Sequence, residues 1–197
     1  MKIINAANLN YRAVNEALCN ADKDCMIESC CGQRFIAAGM SDKNITINGI
    51  PGNALGSYLN NANIVVNANA QDAVGDTMNE GKILIHGNIG DAAGYAMRGG
   101  KIYVKGNAGY RAGIHMKAYK EKIPVMIIGG HTGSFLGEYQ AGGIIIVLGI
   151  NTVRKTYSRE LPMYRNARWK NVFARELQRY LLSRTSYCKI RNFKGFR

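Results

Sequence analysis

Gly87 to Lys105 reads G-N-I-G-D-A-A-G-Y-A-M-R-G-G-K-I-Y-V-K, and nineteen residues later the pattern restarts at Gly106 as G-N-A-G-Y-R-A-G. Nineteen residues earlier, from Ala68, the chain reads A-N-A-Q-D-A-V-G-D-T-M-N-E-G-K-I-L-I-H. A further step back gives Gly49, and another copy runs from Gly130 to Leu148. The copy from Gly106 is 24 residues long, which places five extra residues within Met116 to Ile123. A degraded copy spans Cys30 to Asn48, making six consecutive units. A fixed period of this length identifies a solenoid, in which each unit is stable only against its neighbours.

Each unit ends in an apolar triplet: Ile45-Thr-Ile47, Ile64-Val-Val66, Ile83-Leu-Ile85, Ile102-Tyr-Val104, Met126-Ile-Ile128 and Ile145-Ile-Val147. Short β-branched runs bounded by Gly and Asn read as strands, and period-2 alternation turns the outer pair of each triplet inward. The other half of the unit carries glycine at fixed offsets. One column is Gly56, Gly75, Gly94, Gly113 and Gly137; a second is Gly52, Gly90, Gly109 and Gly133, with Gln71 as the exception. Such a column marks positive φ or a backbone approach too close for a Cβ. One strand triplet per nineteen residues predicts an all-β chain coiled as a parallel β-helix, with equivalent residues stacked about 4.8 Å apart and six coils spanning about 29 Å. Leucine-rich repeats lack their leucine ladder here, and the glycine offsets supply no six-residue sub-period for a hexapeptide helix.

Ahead of the stack, Asn8 to Ala21 reads as a short amphipathic helix with Leu9, Ala13, Ala17 and Ala21 on one stripe and Val14 and Leu18 beside it. It is expected to cap the first coil, and Phe35, Ile36 and Met40 are available for the core. Residues 1–29 are thus read as a cap, 30–150 as the β-helix and 151–197 as a tail. Residues 1–150 carry 13 Lys and Arg against 11 Asp and Glu; residues 151–197 carry 13 against 2. Of 23 glycines, 22 precede residue 150, so the composition breaks there.

The strings G-N-A-L-G at 52–56, Q-D-A-V-G-D-T-M-N at 71–79, G-Y-R-A-G-I-H-M-K at 109–117 and F-L-G-E-Y-Q-A-G-G at 135–143 resemble the GXGXG domain. This is the C-terminal β-helix of the glutamate synthase large subunit, found also as a stand-alone protein and in a subunit of formylmethanofuran dehydrogenase. The resemblance covers about residues 27–150 and implies a right-handed β-helix. It further implies a non-catalytic structural part, packed beside glutaminase and FMN-binding, iron–sulfur-containing partners. FMN and the cluster are expected in those partners and no cofactor in this chain. A subunit of a formylmethanofuran dehydrogenase-like complex is a weaker expectation from the same resemblance.

The residues themselves argue against a catalytic site. His86, His115 and His131 fall at three different offsets and cannot stack into one ligand set. Asp72 and Asp91 share an offset with Asn53; paired carboxylates suit acid–base work, but beside glycine they serve more often as backbone acceptors. Gly75 to Lys82 has the wrong spacing for a phosphate loop, and Ile83 follows the lysine. Cys25, Cys30 and Cys31 match no cluster-binding run, and five cysteines without an export signal point to reduced thiols in a cytoplasm. Arg98, Arg111, His115 and Lys117, with the 116–123 insertion, form the most polar cluster and the candidate partner contact. A homo-oligomer is left open, and no long apolar run suggests a membrane span.

The tail departs from the resemblance, where a stretch like C-T-G-M-H-G-G is expected. Trp169, Val172, Phe173, Leu177, Tyr180 and Leu181 lie at helical spacing among arginines, so a genuine basic appendage would bind nucleic acid or an anionic surface. The favoured reading is a shift of frame near residue 151. Read from the second base, the codons of Met163-Tyr164 must give Cys and those of Trp169-Lys170 must give Gly, and the remaining codons permit the expected string.

Overall fold

The computed structural model describes residues 1–150. Its eight strands form one parallel sheet in chain order: β1 (Lys2–Asn5), β2 (Asp24–Cys31), β3 (Asn44–Ile50), β4 (Ala62–Val66), β5 (Gly81–Ile85), β6 (Lys101–Val104), β7 (Val125–Ile128) and β8 (Ile144–Val147). The triplets pair in register, Ile45↔Ile64↔Ile83↔Ile102↔Met126↔Ile145, so the six repeat units are six rungs of a β-solenoid. The insertion before β7 leaves that register unchanged.

The sheet also holds two rungs that the repeat does not announce. Ile4 pairs with Ile27, and Ile27 with Ile47, at spacings of 23 and 20 residues. The irregular spacing hides these strands from a nineteen-residue period. A register shift between Ile27 and Cys30 marks the entry into regular coils. The sheet therefore starts at Lys2, within the segment read as a cap.

The helix α1 (Tyr11–Cys19) lies between β1 and β2. It starts later than the apolar pattern suggests because the Asn10 side chain accepts from the N–H groups of Arg12 and Ala13, satisfying two of the first-turn donors. Val14 and Leu18, one turn apart, are fully buried and form the centre of its inner face. Its capping role is visible in a single bond. In later coils the turn N–H reaches back to the preceding coil, as Gly56 to Ile36 and Gly75 to Leu55. In the first coil the equivalent Ala37 N–H donates to Asn15 Oδ1 of the helix at 2.8 Å.

Inside, apolar columns fill the coil. The outer residues of each triplet face inward and are buried from β3 to β7. Against them stand Ile36, Leu55, Val74, Ala93 and Ala112, followed by Met40, Leu59, Met78, Met97 and Met116. Met40 and Ile36 join the core as expected. Phe35 does not: it is 43% exposed and packs against Tyr11, with ring centroids 6.0 Å apart. In the last coil Gln140 takes the methionine position and donates to the carbonyls of Gly142 and Gly143. A side chain with donors thus serves local carbonyls where the apolar column ends.

The two glycine columns have different causes. At the corner, alternate residues adopt positive φ: Ala73 (55°), Gly75 (68°) and Thr77 (50°), with the same trio in neighbouring coils. Only the middle member faces the lumen, and a Cβ on Gly75 would sit 2.6 Å from Ile102 Cδ1. The second column has no positive φ; a Cβ on Gly90 would collide with the Asp72 carboxylate of the preceding coil.

Candidate functional site

The carboxylates that invited an acid–base reading belong to a ladder. Asn53 Oδ1 accepts from the Asp72 N–H, Asp72 Oδ1 from the Asp91 N–H and Asp91 Oδ1 from the Tyr110 N–H, the last two at 2.8 Å. The Asx reading therefore holds, with acceptance across coils and not within the turn. A second ladder runs Asn69 to Asn88 to Asn107 to His131 in the same manner. Gly90 and Gly109 leave the space that the Asp72 and Asp91 side chains need.

Cysteine falls out in the same way. Cys25 begins the inward column that continues in Ile45, and Cys30 is buried five residues further along β2. Burial pushes both thiols up, Cys30 to about 11, against smaller opposing effects of Lys43 on Cys25 and of the Gln33 hydrogen bond on Cys30. Cys19 and Cys31 are exposed and unbridged. Among the described residues no three His, Cys, Asp or Glu side chains lie close enough to hold a metal ion, and no helix is long and apolar enough to cross a membrane.

The candidate contact residues occupy two adjoining columns. Arg111 and His115 stand at the corner as the first and third members of the positive-φ trio, and both are exposed. There His115 stacks on Tyr139 (5.0 Å between centroids, 11° between planes) and meets the edge of Tyr95 at 5.6 Å. Arg111 lies over the Phe135 ring at 5.5 Å and 3.6 Å from Glu138. Tyr139 and Phe135 remain 70% and 57% exposed. The aromatic partners were missed in the sequence, although Tyr139 falls in the column of His115 once the five inserted residues are removed.

Arg98 and Lys117 share the next column, which continues from Ser41, Asn60 and Asn79. The insertion does not simply project. Tyr119 and Lys122 exchange backbone hydrogen bonds around Lys120 (φ 54°), making a tight hairpin. That hairpin folds back on earlier coils: Lys122 Nζ reaches Glu80 at 2.8 Å, and the Lys122 stem lies over Gly99. Between hairpin and coils lies a groove of about 610 Å³ lined by Asn60, Asn79, Arg98 and the hairpin's Tyr119 to Lys122. Corner and groove together offer exposed aromatic rings and guanidinium groups, a chemistry suited to contact. The nucleic-acid and frame-shift readings concern residues 151–197, outside the described residues.

The chain matches the GXGXG motif family over residues 7–156. It is 49% identical over 157 residues to an uncharacterized protein of Methanocaldococcus jannaschii. The alignment covers 76% of this chain and 60% of that relative, so the chain spans about three-fifths of the relative's length. No solved structure matches the chain.

Proposed function

The chain belongs to the GXGXG motif family, and from that membership we propose that it is a non-catalytic scaffolding subunit of a glutamate synthase-like complex. In this reading it packs beside glutaminase and FMN/iron–sulfur subunits, and the complex moves glutamine-derived ammonia to a 2-oxo acid and reduces the product. The family match over residues 7–156 carries the proposal, since the family is found in glutamate synthase. The corner and groove support it: the 24-residue coil departs from the repeat only where Arg98, Arg111, His115 and Lys117 gather. In the proposed complex these four residues meet the partner, and any flavin or cluster resides in the partner chains.

Affinity purification of the full chain from its own cells tests the reading. A flavin absorbance and a glutaminase activity retained with wild type, and lost with Arg98→Glu/Arg111→Glu, support it. Recovery of the chain without flavin-containing protein overturns it.

A further inference from the structure

The outer face of the sheet carries a pattern that the corner and groove do not use. The middle residues of the strands, Met26, Thr46, Val65 and Leu84, form a half-buried, mostly apolar stripe along β2 to β5. Two polar columns flank it. One runs Asp24, Asn44, Asn63, Lys82, Lys101 through paired strand positions. The other runs Glu28, Asn48, Asn67, His86, Lys105, with Asn48 donating to Glu28 and Asn67 to Asn48. Both columns are acidic at the β2 end and basic at the β6 end. Among the described residues none of Asp24, Glu28, Lys82, Lys101 and Lys105 is in an ion pair.

We infer that this sheet face binds a second copy of the chain, related by a two-fold axis that runs along β4 between the two faces. Such an axis keeps strand direction and column but reverses the order of rungs. It sets β2 of one copy over β6 of the other, Asp24 opposite Lys101 and Glu28 opposite Lys105, and each pair occurs twice by symmetry. Val65 lies on the axis and Thr46 opposite Leu84, so apolar residues meet across an aligned sheet pair about 10 Å apart. Long lysine and glutamate side chains at the rim span that gap. The Asn44–Asn63 and Asn48–Asn67 side-chain ladders favour this, because such ladders keep a sheet flat enough for five rungs to meet. A two-fold axis along the stack would instead keep the order of rungs and exchange the columns, setting Lys101 against Lys105 and Asp24 against Glu28.

Five rungs of about 4.8 Å and strands about 16 Å long give a contact of the weak, concentration-dependent class. Sedimentation velocity of the full chain from low to several hundred micromolar therefore tests it. Wild type is expected to dimerise reversibly, and less at high salt. Lys101→Glu/Lys105→Glu places like charges at four contacts and should weaken the dimer roughly tenfold or more. Asp24→Lys/Glu28→Lys should do the same, and mixing the two variants should restore dimers, because every opposed pair is then of opposite charge. A wild type that stays monomeric overturns the proposal, as does association that Lys101→Glu/Lys105→Glu leaves unchanged, or a folded pair of variants that fails to associate on mixing. Lysine at 24 and 28 removes the acceptors of Asn44 and Asn48; should that variant not fold, Lys101→Glu/Lys105→Glu, which breaks no hydrogen bond, decides alone.

Discussion

Replacing Gly75 with alanine separates the two reasons for a corner glycine. The new methyl meets Ile102 Cδ1 at 2.6 Å and Ile83 Cδ1 at 3.4 Å, while the backbone stays at φ +68°. The left-handed conformation costs alanine about 1–2 kcal/mol, and overpacking a filled core adds about 1–3 kcal/mol. Ala37 occupies the same column at φ +57° with no exposed surface, so a neighbouring core does accommodate a methyl there, and the lower half of the summed range is expected. The packing part should vanish when Ile102 becomes valine, because the clashing Cδ1 is gone and the nearest remaining atoms, Ile83 Cδ1 at 3.4 Å and Ile102 Cγ1 at 3.5 Å, stand at ordinary contact distances. Ile102→Val alone costs about 0.5–1.5 kcal/mol. The double variant should therefore be less destabilised than the sum of the singles by about 1–2 kcal/mol. Urea unfolding followed by circular dichroism, with amide exchange read at β5 and β6, measures the cycle. Costs that simply add, within about 0.5 kcal/mol, would refute lumen packing as the cause and leave only the backbone.

Asp72→Ala should speed amide exchange at Asp91 and cost about 1 kcal/mol or less, whereas Asp72→Asn, which keeps an acceptor oxygen, should leave both nearly unchanged. Iodoacetamide on the native protein should label Cys19 and Cys31 well before Cys25 and Cys30, which mass spectrometry of peptides would resolve. Because the folded Cys30 thiol is raised to about 11 and an unfolded one titrates near about 8.5, its contribution to stability is complete below the unfolded value. That contribution is then lost as pH climbs toward 11, so Cys30→Ala should flatten the fall of the urea midpoint across that window. Glu80→Gln removes the hairpin's tether to Lys122, an exposed pair worth about 0.5 kcal/mol or less. Global unfolding should barely move, but trypsin should cut after Lys120 and Lys122 faster.

The coil was legible because its constraints are local and repeated: the inward alternation of Ile83 and Ile85, the lumen-facing Gly75 and the cross-coil Asp72 each recur in several copies. What escaped the sequence lacked repetition or a side-chain signature. Ile4 and Ile27 sit off the nineteen-residue spacing, so β1 and β2 are set by pairing alone. Positive φ at Ala73 and Arg111 leaves no trace in residue type, because their Cβ atoms point to solvent and only the local backbone bears the strain. Glycine there would be conformationally easier, but nothing crowds the side chain. The hairpin's return onto Gly99 depends on a contact with Glu80, 42 residues earlier, which spacing cannot reveal. The stacked pair of His115 and Tyr139 was hidden by the inserted residues between them.

The coil-to-coil bonding of the turn amides has a mechanical consequence. Corner groups such as the Gly75 and Gly94 N–H reach back one coil, while those of Ala73 and Ala92 reach forward one, so each coil is tied to both neighbours and to little else. Tension applied between the first and last coils runs along the stack and loads these bonds in series. The chain should then lengthen in discrete events, each releasing one coil, and a regular coil of nineteen residues releases about 65 Å of extended backbone. The coil from Gly106 holds 24 residues and should release about 80 Å instead. In a single-molecule force trace the two longer steps, this one and that of the 23-residue first coil, are internal markers, and their places in the sequence of events show from which end the stack comes apart.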